Sequence, residues 1–250
     1  MYHFFVDSSA IGEGKVKIIG ADLNHMKNVL RIKPGESVEI SDGSSNRYIC
    51  EVDEYEQDTV RLHIRDKIRD DVELPSRIYL FQGLPKADKM ELIIQKAVEL
   101  GAYEVIPVVT KRAVVKLDEK KAVKKVARWN AIAEGAAKQS GRNRIPEVHD
   151  VMTFAEALKF AKSLDVRLIP YEKAEGMGTM KSAVDQIRPG ESIGVFIGPE
   201  GGFEEAEIEQ AMEQEIIPVS LGKRILRTET AGLTILSILM YHLECEIHNL

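Results

Sequence analysis

From residue 76 onward, short apolar runs alternate with segments of helical length, and this alternation constrains the fold more than any other feature of the chain. The runs cover residues 77–82, 105–109, 166–170, 193–197 and 216–221. They are nearly continuous in Val, Ile, Leu and Phe, so they read as strands covered on both faces. Between them lie predicted helices over 86–100, 118–139, 153–163 and 204–214, and a last one from Thr230. Gly101 can end the first and Asp118 can cap the second. On the second, Val123, Val126, Trp129, Ile132 and Ala136 form an apolar stripe at spacings of three and four. Strands alternating with helices imply an α/β fold, with a mostly parallel sheet and helices on both faces.

Residues 1–73 read differently. Segments 15–19, 37–40, 48–52 and 59–64 alternate or are β-branched, and turns such as Pro34-Gly35 and Asp42-Gly43 separate them. Strands this short and evenly spaced predict a small barrel. A short helix over 22–30, which Asp22 can cap, interrupts them. The domain boundary falls in the charged stretch Arg69-Asp70-Asp71-Val72-Glu73-Leu74-Pro75. Two domains are therefore expected, 1–73 and 74–250.

Two strand exits carry candidate chemistry. Ile197-Gly198-Pro199-Glu200-Gly201-Gly202-Phe203 follows one apolar run, and Leu221-Gly222-Lys223-Arg224-Ile225-Leu226-Arg227-Thr228-Glu229-Thr230-Ala231 follows another. Neighbouring glycine-rich exits at the carboxyl ends of strands form a crevice, the usual ligand position in an open α/β sheet. Neither exit matches GxGxxG or GxxxxGK[ST], so the ligand is one held by backbone groups without a phosphate to grip. Glu204 and Glu205 at the next helix start suit the helix dipole and would repel a phosphate. Arg224, Arg227 and Glu229 are out of place in a mere connector, Gly222 lets the chain turn, and Ile225 with Leu226 can wall a flat ring. Taken singly, an ordinary glycine turn and a salt-bridged surface loop remain open as alternatives.

The net charge of −6 hides an uneven distribution. Residues 1–73 carry net −5, whereas residues 111–144 hold 11 Lys/Arg, Lys116 among them, against three acids, net +8. Such a segment is a candidate phosphate-binding surface, and a solvated helix face is its plainer reading. Cys50 and Cys245 show no metal or redox spacing, which fits a reducing, cytoplasmic setting. The N-terminus lacks a signal-peptide pattern, and the apolar stretch 231–243 is too short to span a bilayer. The six histidines form no metal set by spacing, and no GxSxG nucleophile is present. The last helix is apolar nearly all round, so it is expected to be buried, with a subunit interface favoured over the chain's own interior.

The motifs Gln82-Gly83-Leu84-Pro85-Lys86-Ala87-Asp88-Lys89-Met90-Glu91, Gln95-Lys96-Ala97-Val98-Glu99-Leu100-Gly101, Arg128-Trp129, Gln139-Ser140-Gly141-Arg142 and Tyr171-Glu172, with the two exits above, carry a resemblance that spans essentially the whole chain. The chain resembles the ribosomal small subunit methyltransferase E family, 16S rRNA (uracil-N3)-methyltransferases of the SPOUT superfamily. It departs from the family pattern at Ala87, where Gly is common, and at Lys223, where Pro is common. The resemblance implies a PUA-like, RNA-binding β-barrel domain over 1–73 and a trefoil-knotted parallel-sheet domain over 74–250. It implies a homodimer packed through the last helix, and uridine 1498 of the small subunit as target. The implied cofactor is S-adenosylmethionine, held by Leu168, Pro170, Tyr171 and Glu172, by Gly198, Pro199, Glu200, Gly201 and Gly202, and by Leu221, Gly222, Ile225, Leu226 and Thr230. Arg227, with Arg224, is expected to stabilise negative charge on the uracil oxygens, and Glu229 or Glu200 to orient the base or take its proton. His25 and Arg31, with Lys111, Arg112, Arg128, Arg142 and Arg144, are expected to contact RNA. No metal is expected. The competing reading is a non-catalytic rRNA-binding assembly factor.

Overall fold

The computed structural model describes residues 1–43, 46–68, 72–115, 117–174 and 176–247. Lys116 of the basic segment, and Arg69, Asp70 and Asp71 of the expected boundary, lie outside the described residues. The chain forms two compact units. One is Met1–Glu73 with Ala137–Ile145, the other Leu74–Ala136 with Pro146–Leu250.

In the first unit, β1 (His3–Phe5), β2 (Ile11–Gly12), β3 (Lys15–Ile19), β4 (Ser37–Ser41), β5 (Arg47–Tyr55) and β6 (Thr59–Ile68) form a sheet in the order β1-β4-β5-β6-β3-β2. Every neighbouring pair is antiparallel except β1 with β4. Period-two alternation sends Val16, Ile18, Val38, Ile40, Val60 and Leu62 to one buried side, where Phe4 and Met26 join them. Helix α1 (Gly20–Asn24) continues as a π-helical turn over His25–Val29. Asp22 does not cap it. It lies in the first turn and receives Lys138 Nζ at 3.1 Å instead. Within the same unit, Arg47 Nη1 donates to the Gly141 carbonyl at 3.3 Å, and Arg142 Nε donates to Glu73 Oε1 at 3.2 Å.

In the second unit, the strands are β7 (Arg77–Gly83), β8 (Glu104–Val109), β9 (Glu147–Val148), β10 (Met152–Thr153), β11 (Val166–Pro170), β12 (Ser192–Ile197) and β13 (Ile217–Val219). Their order is β10-β8-β7-β12-β11-β13, with β9 beside β8, and every pairing is parallel. The helices are α2 (Lys89–Glu99), α3 (Glu119–Ser140), α4 (Phe154–Ala161), α5 (Gly178–Asp185), α6 (Glu205–Glu213) and α7 (Thr228–Ile247). The last turn of α3 groups with the first unit.

Local chemistry sets the helix starts. Asp118 Oδ1 accepts from Lys121 N at 2.8 Å ahead of α3, and Thr153 with Glu156 forms a capping box for α4. Glu204 and Glu207 do the same for α6. Successive strand residues then face opposite helices. Phe81 and Phe196 stack with centroids 4.3 Å apart and, with Phe154, Leu158, Ile208 and Ala211, form the core under α4 and α6. Gln82, next along β7, points the other way and bonds Thr228 of α7, which also packs on α2 and α5.

Two expectations need correction. Val123 is 61% exposed, so the α3 stripe runs instead through Trp129, Ala133, Ala136 and Ala137. The last helix starts at Thr228. In this chain it buries one stripe, Gly232, Ile235, Leu236, Leu239 and Leu243, and Tyr241 is 71% exposed. No described helix is long and apolar enough to cross a membrane.

Candidate active site

Strand β11 lies between β12 and β13, so the exits after these three strands meet at one end of the sheet. There they line a cavity of about 500 Å³, within the range of small-molecule sites. Pro170, Tyr171 and Glu172 come from the first exit. Gly198, Pro199, Glu200, Gly201 and Gly202 come from the second, and Leu221, Gly222, Arg224, Ile225, Leu226 and Arg227 from the third. Tyr171 N donates to Val219 O at 2.9 Å and carries the β11–β13 ladder into the loops.

The glycine loop is shaped by close approach. A Cβ at Gly198 would stand 3.0 Å from the backbone of Gly202, and one at Gly201 would meet Arg112 Cβ at 3.1 Å. Gly222 holds φ near 111°, a conformation that favours glycine. The loop is also pinned from two sides. Arg112 Nη1 donates to Gly201 O at 3.0 Å, and Thr228 Oγ1 donates to Gly198 O at 2.6 Å. Thr228 accepts in turn from Gln82 Nε2 at 2.9 Å, and both side chains are buried. Arg112 is placed by its neighbour, because Lys111 N donates at 2.9 Å to buried Glu207, whose other oxygen accepts from Glu204 N.

A charged clasp stands beside the loop. Lys89 Nζ lies 3.2 Å from Glu200 Oε1 and 3.2 Å from Glu229 Oε2. Glu200 also accepts from Lys86 N at 3.1 Å. Burial alone would raise the Glu200 carboxyl. Its backbone N–H donors and the Lys89 ammonium outweigh burial and hold it below the usual carboxylate range. The bond to Glu200, helped by Glu229, raises Lys89 in return. Lys89, Arg112, Lys223, Arg224 and Arg227 thus give the cavity more cations than its acids Glu172 and Glu200 offset.

Some expected residues lie elsewhere. Leu168 is fully buried in β11, beneath the cavity rather than on its wall. Thr230 is exposed on α7, its carbonyl accepting from Thr234, and Glu229 stands behind Lys89 without lining the cavity. Arg128 is exposed on α3 and donates to Glu91 at 2.8 Å. Lys111, His25 and Arg31 are exposed and Arg144 is half-buried. Arg142 is a correction. Its side chain is 6% exposed and paired with Glu73, so its charge is spent inside the protein and is not open to an RNA phosphate.

Lys89, Ser220, Thr228 and Ala231, to which the sequence assigned no site role, also line the cavity. Lys89 carried a signal. A cation in the first turn of a helix opposes the helix dipole and needs carboxylates nearby. Folding also brings together Glu104, Glu147 and His149, whose ligand atoms lie within 4.8 Å, a grouping that sequence spacing did not show. They sit where β8 and β9 begin, at the end of the sheet away from the cavity.

Comparison with known proteins agrees with this arrangement. The RNA methyltransferase domain family matches residues 72–240, and the RNA methyltransferase PUA domain family matches residues 18–61. The ribosomal RNA small subunit methyltransferase E of Bacillus subtilis is 40% identical over 230 residues, covering 91% of this chain and 90% of the relative. The enzyme of the same name from Neisseria gonorrhoeae, solved bound to S-adenosylmethionine, superposes with a TM-score of 0.85 at 33% identity, covering 96% of this chain and 97% of that one. A methyltransferase of Legionella pneumophila solved with the same cofactor gives 0.84 at 30% identity, again over 96% and 97%. The PUA-like β unit, the parallel-sheet unit and the glycine-lined cavity at its strand ends place this chain in the ribosomal RNA small subunit methyltransferase E family, a family of RNA methyltransferases.

Proposed function

We propose that the protein methylates N3 of one uridine in 16S rRNA of the small ribosomal subunit, the position numbered 1498, using S-adenosylmethionine. The observation that carries this reading is the cavity, where a glycine cradle without a phosphate grip adjoins a cluster of cations. The Neisseria and Legionella relatives, solved with that cofactor, support it. When bound, S-adenosylmethionine supplies the methyl group. The backbone of 198–202 and 221–226 holds the flat part of the ligand, Ile225 and Leu226 wall it, and Pro170, Tyr171 and Glu172 close the third side. Leu168, buried in β11, backs that wall.

Neutral uridine N3 is a poor nucleophile, so the site must favour its anion. Arg227 and Arg224 line the cavity and stabilise the charge on the uracil oxygens. The base reaches them splayed out of its stack. Lys111, Arg112, Arg128 and Arg144, with His25 and Arg31 of the PUA-like unit, hold the RNA backbone. Leu233, Met240 and Tyr241, partly or largely exposed on α7, support a homodimer packed through that helix. The return of the chain from β13, past the end of β11, to Thr228 beside Gly198 supports a knotted chain path. A ribosomal substrate puts the protein in the cytoplasm.

The test is transfer of labelled methyl from S-adenosylmethionine to small subunits that lack the modification. Label in 16S rRNA is expected. Cofactor binding with no label in free rRNA, partial assemblies or complete subunits would overturn the reading.

A further inference from the structure

We propose that Lys89 is a positioning residue for methyl transfer, tying Glu200 of the glycine loop to Glu229 of α7 so that Arg227 keeps its place in the cavity. The inference rests on the activity proposed above and assigns a residue to it. Lys89 opens α2, where the helix dipole opposes a cation, so its position must be answered by nearby acids. Two answer it at 3.2 Å each, from segments far apart in sequence. Glu229 Oε2 is buried without a well-formed hydrogen bond, and the Lys89 ammonium is the charge set against it. Glu229 follows Arg227 by two residues in the turn that opens α7, so whatever fixes its carboxylate also fixes where Arg227 starts.

The same geometry says which step suffers when Lys89 is lost. The glycine loop keeps its other ties, Thr228 to Gly198 and Arg112 to Gly201. The cofactor cradle therefore survives. Glu200 retains Lys86 N as donor, whereas Glu229 loses the charge that answers it. The damage falls on Arg227 and on turnover, with cofactor affinity spared.

The experiment compares Lys89→Met and Lys89→Arg in the full-length protein. It measures kcat for methyl transfer to small subunits, Kd for S-adenosylmethionine by calorimetry, and the thermal midpoint. Lys89→Met should lower kcat by about tenfold or more while Kd stays within roughly threefold, and Lys89→Arg should restore most of the rate. Glu229→Gln should slow the wild type but add little to Lys89→Met, because both break one clasp. Wild-type kcat in Lys89→Met, or a loss confined to cofactor Kd, would overturn the inference. A wild type that binds cofactor but transfers no methyl to any rRNA substrate would instead overturn the functional reading on which it stands.

Discussion

Thr228 and Gly198 are joined by a 2.6 Å hydrogen bond across 30 residues of sequence, although β13 and β12, the strands that precede them, are not neighbours. Thr228 also receives Gln82, so one hydroxyl links the ends of β7 and β12 to the start of α7. Both side chains are buried, and a low dielectric makes each partner costly to orphan. The glycine loop and the arginine loop are therefore set by the same side chain.

Thr228→Val keeps the shape and removes the hydroxyl. The Gly198 carbonyl and a Gln82 N–H lose their partner, which costs about 1–3 kcal/mol. Urea unfolding should show that loss, and calorimetry should show weaker binding of S-adenosylmethionine. Wild-type values in both would mean that other contacts hold the loop.

Ala87 holds φ near 54°, the left-handed region, and its side chain is exposed. The conformation costs a non-glycine residue about 1–2 kcal/mol. Glycine gives back roughly 0.5–1 kcal/mol through its freer unfolded chain. Ala87→Gly should therefore stabilise the protein by about 0.5–1 kcal/mol in a denaturant titration. Destabilisation would contradict the backbone geometry.

Two histidines should titrate in opposite directions. Burial, and then the Arg47 cation, push His3 down to about 4. The hydrogen bond to Glu104 outweighs burial and raises His149. The unfolded chain takes up both protons near pH 6.5. His3 therefore contributes stability above about pH 6.5 that is lost as pH falls toward about 4, and His3→Gln should remove that slope. His149 contributes stability below about pH 6.5 that is lost as pH rises through its raised value. Imidazole proton shifts followed by NMR check both directions, and a His3 midpoint near 6.5 would contradict this placement.

Much of the parallel unit was legible because its strands are apolar on both faces and its helices carry caps, as at Asp118 and Thr153. Helix α5 was not, since Gly178 and Thr179 open it and only Met180, Ala183 and Val184 are buried. The burial of Arg142 was hidden because its partner, Glu73, lies 69 residues away, and counting charges treats every arginine as exposed. The same distance blindness hid the grouping of 137–145 with the first unit. The two cavity loops were legible as chemistry because glycines and arginines clustered at strand ends exceed what a mere connector needs. Thr228 was not, because a hydroxyl shows its role only when its partners are known.

Arg227 is exposed at the cavity, where we propose that it meets charge on the base. Arg227→Ala should lower kcat by roughly 10²–10³ while leaving cofactor Kd within a few-fold. Turnover like the wild type would remove Arg227 from the chemistry.

The central claim is the reaction and its site. Small subunits lacking the modification should be incubated with the protein and S-adenosylmethionine, and the 16S rRNA digested and mapped by mass spectrometry. The account predicts a single N3-methyluridine, at the position numbered 1498. A methyl group on another base, on another atom of uracil or on ribose would contradict it.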